Sequence, residues 1–312
     1  MRHRRFEPLG RDLSLLALGT SVYRNAGDDE SLDLLDAWLE VGGTLVDTGR
    51  EYGNAESVIA RWLDARGVHD QVTVLTKGGH HDEQRRRVTP RDVAADLNES
   101  RAVLGLATID LYLLHRDDPT QPVGPLLECL NEHREAARIR SFGASNWTTE
   151  RLEEANAYAA AHGLTSFSCS SPALSLAQQN EPPWPDCVSA SDPASRAWYE
   201  SEQLPVFAWS SQAGGYFTNV ANPDLTRVYE SDDNRERFRR ATELARTKGC
   251  SANHIALAWV LHQPFPSYAV IGPRTVGELR DSAAAVDIEL TPHEWSWLAL
   301  EELYAEGEAV RV

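Results

Sequence analysis

At 312 residues, 42% hydrophobic and 25% charged, the chain has the composition of a globular protein with length enough for one large core or two smaller ones, which excludes the collagen-like, disordered and membrane-embedded classes. Its formal net charge of −17 argues against general affinity for nucleic acid or anionic membrane, because either needs a basic face. The longest apolar runs, such as IDLYLLH, fall well short of the ~20 residues that cross a bilayer.

The N-terminal MRHRRFEPLG is basic, but no apolar segment follows it. No signal peptide is expected, and the cytoplasm is the expected location. Short apolar or β-branched runs then predict eight strands, at 15–19, 44–47, 72–76, 109–114, 138–143, 166–170, 205–209 and 268–272. Amphipathic stretches lie between them: ESLDLLDAWLEVG and AESVIARWLDARG close on glycine, and TPRDVAADLNESRAVLGL opens with Thr89 as N-cap before Pro90. TTERLEEANAYAAAHG, DNRERFRRATELARTKG and SANHIALAWVLHQ follow the same logic, and a final helix is expected in TPHEWSWLALEELYAEGEAVRV. Eight strands alternating with helices predict an α/β fold, a (β/α)8 TIM barrel, with functional groups at the C-terminal rim of the strands. A doubly wound open sheet is the rival. It calls for GxGxxG after the first strand, where the chain offers LGTSVYRNAG instead. No linker or shift of composition divides residues 1–312, so a single domain is expected. The segments richest in Pro, Ser, Asn and Asp, 171–195 and 212–234, are expected as long rim loops that shape substrate and cofactor sites. Cys129, Cys169, Cys187 and Cys250 are scattered without CxxC or zinc-like Cys/His spacing, so no metal site is expected.

The stretch VDTGREYGN places Asp47 at the end of the second strand and Tyr52 in the loop after it. Lys77 is expected just after the third strand and His115 at the end of the fourth, so all four should meet at one rim. The set has a chemical rationale. A phenol with an ordinary pKa of about 10 is a poor acid near neutrality, and an ammonium beside it should bring that value down. Asp47 would keep Lys77 charged, and His115 would hold a substrate carbonyl oxygen. The expected product is a general acid able to protonate the alkoxide that forms when hydride adds to a carbonyl.

These motifs resemble the aldo-keto reductase family along nearly the whole chain: LGTSVY, VDTGREYGN against DTA..YG, LTK, LLH, GASNW against GVSN, and IGPRT. The resemblance implies a (β/α)8 barrel and NADP(H)-dependent reduction of aldehydes or ketones, or the reverse oxidation, with Asp47, Tyr52, Lys77 and His115 as the catalytic tetrad. It implies that Ser145 and Asn146 hold the nicotinamide carboxamide, with Ser171 where relatives carry Gln. Trp209 takes the place of the aromatic that stacks on the nicotinamide. Ser210, Gln212 and Gly214 fall in the loop over the pyrophosphate. Arg274 matches the grip on the 2′-phosphate, so NADP is expected over NAD. Glu278 and Ser282 stand where relatives often carry Gln and Asn near the adenine. Tyr23, Arg50, Arg116, Trp147 and Trp184 are the expected substrate walls, with Glu51 and Asp117 beside them. Flat aromatics with polar neighbours suit a sugar-like small molecule. Two alternatives stay open: a cofactor-binding redox-sensing subunit with little turnover, and a lyase or aldolase with Lys77 as Schiff-base nucleophile. The expected state is a monomer or weak homo-oligomer.

Overall fold

Along the predicted strands, side chains alternate between two apolar environments, as the period of two requires. Residues of one parity, Ala17, Leu45, Leu75, Leu111, Leu113, Cys169, Phe207 and Val270, share a single cluster with Phe6 and Leu13. Residues of the other, among them Leu16, Leu18, Val46, Val74, Tyr112 and Leu114, pack into a larger cluster with helix residues such as Trp38, Trp62 and Leu97. Strands apolar on both faces belong to a parallel sheet covered by helices outside and filled inside.

The computed structural model, which describes residues 1–25, 28–218, 220 and 222–301, has this arrangement. A hairpin of β1 (His3–Phe6) and β2 (Arg11–Ser14) precedes the barrel strands. Those are β3 (Leu16–Gly19), β4 (Leu45–Asp47), β5 (Thr73–Gly78), β6 (Ile109–Leu114), β7 (Ile139–Ser145), β8 (Ser170–Ser171), β9 (Val206–Ala208) and β10 (Ser267–Ile271). Every neighbouring pair is parallel, and β10 closes on β3 through Ala269–Leu16, Val270–Ala17 and Ile271–Leu18. The helices are α1 (Asp28–Glu40), α2 (Ala55–Arg66), α3 (Pro90–Leu104), α4 (Val123–Glu135), α5 (Thr149–His162), α6 (Pro193–Glu202), α7 (Pro223–Tyr229), α8 (Asp232–Lys248), α9 (Ala252–Leu261), α10 (Val276–Ala284) and α11 (Pro292–Leu298). Among the described residues, no helix is long and apolar enough to cross a membrane.

The expected eight-stranded barrel is present, with four corrections. Lys77 lies inside β5, paired with Leu113 of β6, because the ladder continues past the apolar run to Gly78. Strand β7 likewise runs on to Ser145. The sixth barrel strand is only Ser170–Ser171, since Phe167 and Cys169 are buried without joining a ladder. Segment 212–234 is not one loop: it holds a 3-10 turn (Ala213–Thr218), α7 and the start of α8. The N-terminal hairpin was not foreseen, because only Phe6 and Leu13 among its charged residues face inward. Hydrogen bonds from Arg4 to the Ser267 carbonyl and from Ser14 to Thr44 fix it across the strand starts, at the end of the barrel away from the rim. Thr89 caps α3 as expected, accepting from the Asp92 N–H. The expected final helix is α11, and residues 302–312 lie outside the described residues.

Candidate active site

The inward parity that fills the barrel also builds the rim. Asp47 stands two residues beyond Leu45, Lys77 two beyond Leu75, His115 two beyond Leu113, Ser145 two beyond Gly143, Ser171 two beyond Cys169 and Trp209 two beyond Phe207. Each is therefore the next inward position, following a packed core side chain in every case but Ser145, which follows Gly143.

Lys77 is buried, and its ammonium donates to Asp47 Oδ2 at 2.7 Å and to the Thr48 carbonyl at 2.9 Å. Its Nζ lies 5.1 Å from the Tyr52 ring centroid, close enough for its charge to act on the phenol. Burial alone would disfavour the charge, but Asp47 and the Tyr52 oxygen outweigh it and raise the Lys77 pKa above its ordinary value. For Tyr52 the balance falls the other way. Burial raises its pKa, Lys77 pulls it down, Asp47 adds to the rise, and the net direction is upward. The expectation that Lys77 lowers the phenol below its ordinary value is therefore corrected: desolvation wins.

His115 completes the cluster, its ring edge-on to Tyr52 with centroids 5.5 Å apart. Burial, then the charges of Lys77 and Arg116, push its pKa well below the ordinary histidine value, so the imidazole is neutral at neutral pH with one N–H to donate. His80, which sequence patterning did not single out, stands edge-on to His115 at 4.7 Å. Its signal was the GGHH that follows Lys77. Asp96 of α3 was also missed. It accepts from the Gly79 N–H at 2.9 Å and pairs with Arg87 at 2.6 Å, anchoring the strand end that carries Lys77.

The expected cofactor residues fall into two groups. In the first, polar atoms are already engaged: Ser145 Oγ donates to the Ser171 carbonyl, and Ser171 Oγ to that of Phe207. Asn146, in the left-handed region at φ 59°, donates from Nδ2 to Ser145 Oγ and the His115 carbonyl, and accepts at Oδ1 from Val188 N–H and Trp209 Nε1. These side chains hold the rim together, and would have to exchange partners to hold an amide. The second group is open. Trp209 is half-buried, with Trp184 tilted 40° to it at 6.1 Å. Ser210, Ala213, Gly214 and Gly215 all have positive φ, and at Gly215 a Cβ would meet only Thr218 Oγ1, at 3.5 Å, so the space beside the turn is open, while the Ala213 and Gly215 N–H groups donate within it to the Ser210 and Gln212 carbonyls. Ser210 Oγ meets the Tyr229 hydroxyl at 3.1 Å, and Gln212 reaches Ser282 at 3.1 Å. Arg274 is exposed, and its guanidinium has no partner among the described residues; its N–H donates to Glu278 Oε2 at 2.7 Å. A ring face, a glycine turn with open space beside it and an unpaired cation along one rim fit a dinucleotide phosphate ester.

Of the expected substrate walls, Tyr23 and Trp147 are fully buried, and Trp147 donates to the Arg116 carbonyl. Arg50 is committed to Glu51, Asp96 and Glu99. Trp184 is 61% exposed at the rim, and Arg116 is buried beside His115.

A family model described as the Aldo/keto reductase family matches residues 15–302. The chain belongs to that family. It is thus an aldo/keto reductase family oxidoreductase, and its barrel is this family's fold. It is 25% identical over 288 residues to the aldo-keto reductase YhdN of Bacillus subtilis, covering 86% of this chain and 82% of that one. To the norsolorinic acid reductase stcV of Emericella nidulans it is 27% identical over 321 residues, covering 94% of this chain and 79% of the relative. A crystal structure of the thermostable aldo-keto reductase Tm1743 with the inhibitor epalrestat shares the fold, with a TM-score of 0.77 at 20% identity over 96% of this chain and 99% of that one.

Proposed function

We propose that this aldo/keto reductase reduces an aldehyde or ketone with NADPH, or runs the reverse oxidation, with Tyr52 as general acid and base. The observation that carries it is the buried Asp47–Lys77 pair against the ring of half-buried Tyr52, beside a neutral His115. When bound, NADPH supplies the hydride. Trp209 would lie along the nicotinamide, Ser145, Asn146 and Ser171 would take its carboxamide, and Ser210, Gln212 and Gly214 the pyrophosphate. Arg274 would take the 2′-phosphate, with Glu278 and Ser282 near the adenine.

The protein's own residues do the proton chemistry. His115 donates its N–H to the substrate carbonyl oxygen and orients it. Tyr52 delivers its hydroxyl proton to that oxygen as negative charge develops there. Lys77 steadies the phenolate left behind, and Asp47 keeps Lys77 charged. Asp47, by the same charge, disfavours the Schiff-base alternative, which needs a neutral amine. Exposed Trp184 and half-buried Trp209 at a polar rim favour a sugar-like substrate over a long alkyl aldehyde.

The test is quenching of tryptophan fluorescence by NADPH and, separately, by NADH, followed by NADPH oxidation with a panel of aldoses, ketoses and aromatic aldehydes. Saturable binding that favours NADPH, with turnover of a carbonyl, is expected. Binding of neither nucleotide would remove the hydride-transfer reading, and binding without any turnover would favour the redox-sensing alternative.

A further inference from the structure

Arg116 is 8% exposed, yet it forms no ion pair among the described residues. Its Nη1 donates to the His115 carbonyl at 2.9 Å, its Nε is buried without a partner, and Nη2 has none among the described residues. The other buried arginines are satisfied: Arg151 by Asp117 and Glu154, Arg196 by Glu301, and Arg237 by Asn234 and the Ala299 carbonyl. The acids around Arg116 are engaged elsewhere, Asp117 with Arg151, Asp118 with Thr120, Asp186 with Arg86 and Glu51 with Arg50. A buried cation without a counter-charge is costly, by several kcal/mol on the order of what breaking a buried pair loses. The cost is tolerated where a ligand supplies the missing charge.

We infer that Arg116 receives the carboxylate of the substrate, so that the preferred carbonyl compound is an aldehyde or ketone bearing a carboxylate a few bonds from its C=O. The inference rests on the carbonyl-reductase reading of the same site. Nη2–H is the donor that a carboxylate oxygen meets first, and Nε–H, buried as the side chain stands, completes the side-on fork that takes both oxygens once the carboxylate seats. The third donating edge, through Nη1, is tied to the backbone of His115, which fixes the fork beside the imidazole proposed to hold the carbonyl oxygen. Arg116 follows His115 directly in the chain, and its own carbonyl accepts from Trp147 Nε1 at 3.2 Å, so its backbone is held at the same rim as the proton-transfer groups. A sugar acid in its open-chain form satisfies both this cation and the polar rim.

The test compares 4-carboxybenzaldehyde with its methyl ester, which keeps the reacting aldehyde and removes the charge, using the full-length protein with NADPH. The acid is expected to have kcat/KM about tenfold or more above the ester, the scale of a desolvated bidentate pair. Arg116→Met should bring the ratio of the two to about one, and Arg116→Lys, a point charge without the fork, to an intermediate value. Calorimetric binding of 4-carboxybenzaldehyde to wild type and to Arg116→Met reads the same contact without turnover, and melting curves check that both variants fold. Binding that depends on Arg116 with no turnover of either aldehyde would uphold the carboxylate contact and sink the reductase reading. Equal kcat/KM for acid and ester in the wild type, or a preference that survives Arg116→Met, would overturn the inference.

Discussion

Tyr52 sits under opposed pressures, with burial and Asp47 raising its pKa and Lys77 lowering it, and the rise wins. The proton-donating form is therefore present below a value higher than the ordinary 10.0 and is lost only as pH rises through it. Carbonyl reduction at saturating cofactor should stay level through neutrality and decline only above about pH 10. A decline centred near pH 7 to 8, measured as kcat against pH in the reductive direction, would show that another group donates the proton. His115 gives no acid limb near its ordinary value, because it stays neutral well below 6.5. At the proposed cofactor end the relevant residue is Glu278, whose carboxylate accepts the Arg274 N–H. Glu278→Gln keeps an acceptor and removes a negative charge from the neighbourhood of Arg274. It should tighten NADPH relative to NADH by about twofold to fivefold at low salt, a surface-charge effect of roughly 0.5–1 kcal/mol. Unchanged relative affinity in the fluorescence titration would mean that Arg274 does not carry the 2′-phosphate.

At the scale of single elements, the close pairing of β7 with the segment ahead of β8 depends on Gly143. A Cβ there would stand 2.4 Å from the Cys169 carbonyl oxygen and 2.6 Å from its sulfur. Neither backbone nor a fully buried side chain can give way cheaply, so Gly143→Ala should destabilise the protein by about 1–3 kcal/mol, read as a lower urea midpoint at unchanged m-value. It should also disturb Ser145, two residues on. A variant as stable as wild type would show that the strands separate more easily than this packing implies. The same strand shows what the sequence carried. Runs such as IDLYLL stand out because both faces are apolar, and the ends of those runs placed Asp47 and His115 correctly. Lys77 and Ser145 were put at or beyond strand ends because polar residues do not mark where a ladder stops; backbone pairing does. β8 was drawn too long for the converse reason: Phe167 and Cys169 are buried, and the bonds this segment makes to Phe142 and Ala144 of β7 do not extend the ladder beyond Ser170–Ser171. The engagement of Asn146 with Trp209 was not legible, since the partner lies 63 residues on, nor was the orphaned fork of Arg116, since a missing counter-charge shows only once the chain is folded.

For the whole molecule, stability and chemistry sit at opposite ends of one barrel. The hairpin inserts Phe6 and Leu13 into the cluster that fills the barrel, and Phe6 meets Phe207 and Tyr268 edge-on at 5.6 and 6.2 Å. Phe6→Ala should cost about 3–5 kcal/mol in unfolding free energy, the usual range for a buried aromatic truncated to a methyl group. Because the rim is built on the next inward layers, NADPH affinity should change by less than about twofold in the folded variant. A large loss of affinity at 20 °C, well below its melting temperature, would mean that the two ends are coupled. The rim's central claim is that Tyr52 moves the proton. It is tested most directly by single-turnover reduction of an aldehyde by NADPH in wild type and Tyr52→Phe, with nucleotide binding measured on the same samples. The account predicts a rate lower by about 10²-fold to 10⁴-fold with NADPH affinity nearly unchanged. A Tyr52→Phe protein that reduces the aldehyde at close to the wild-type rate would contradict it.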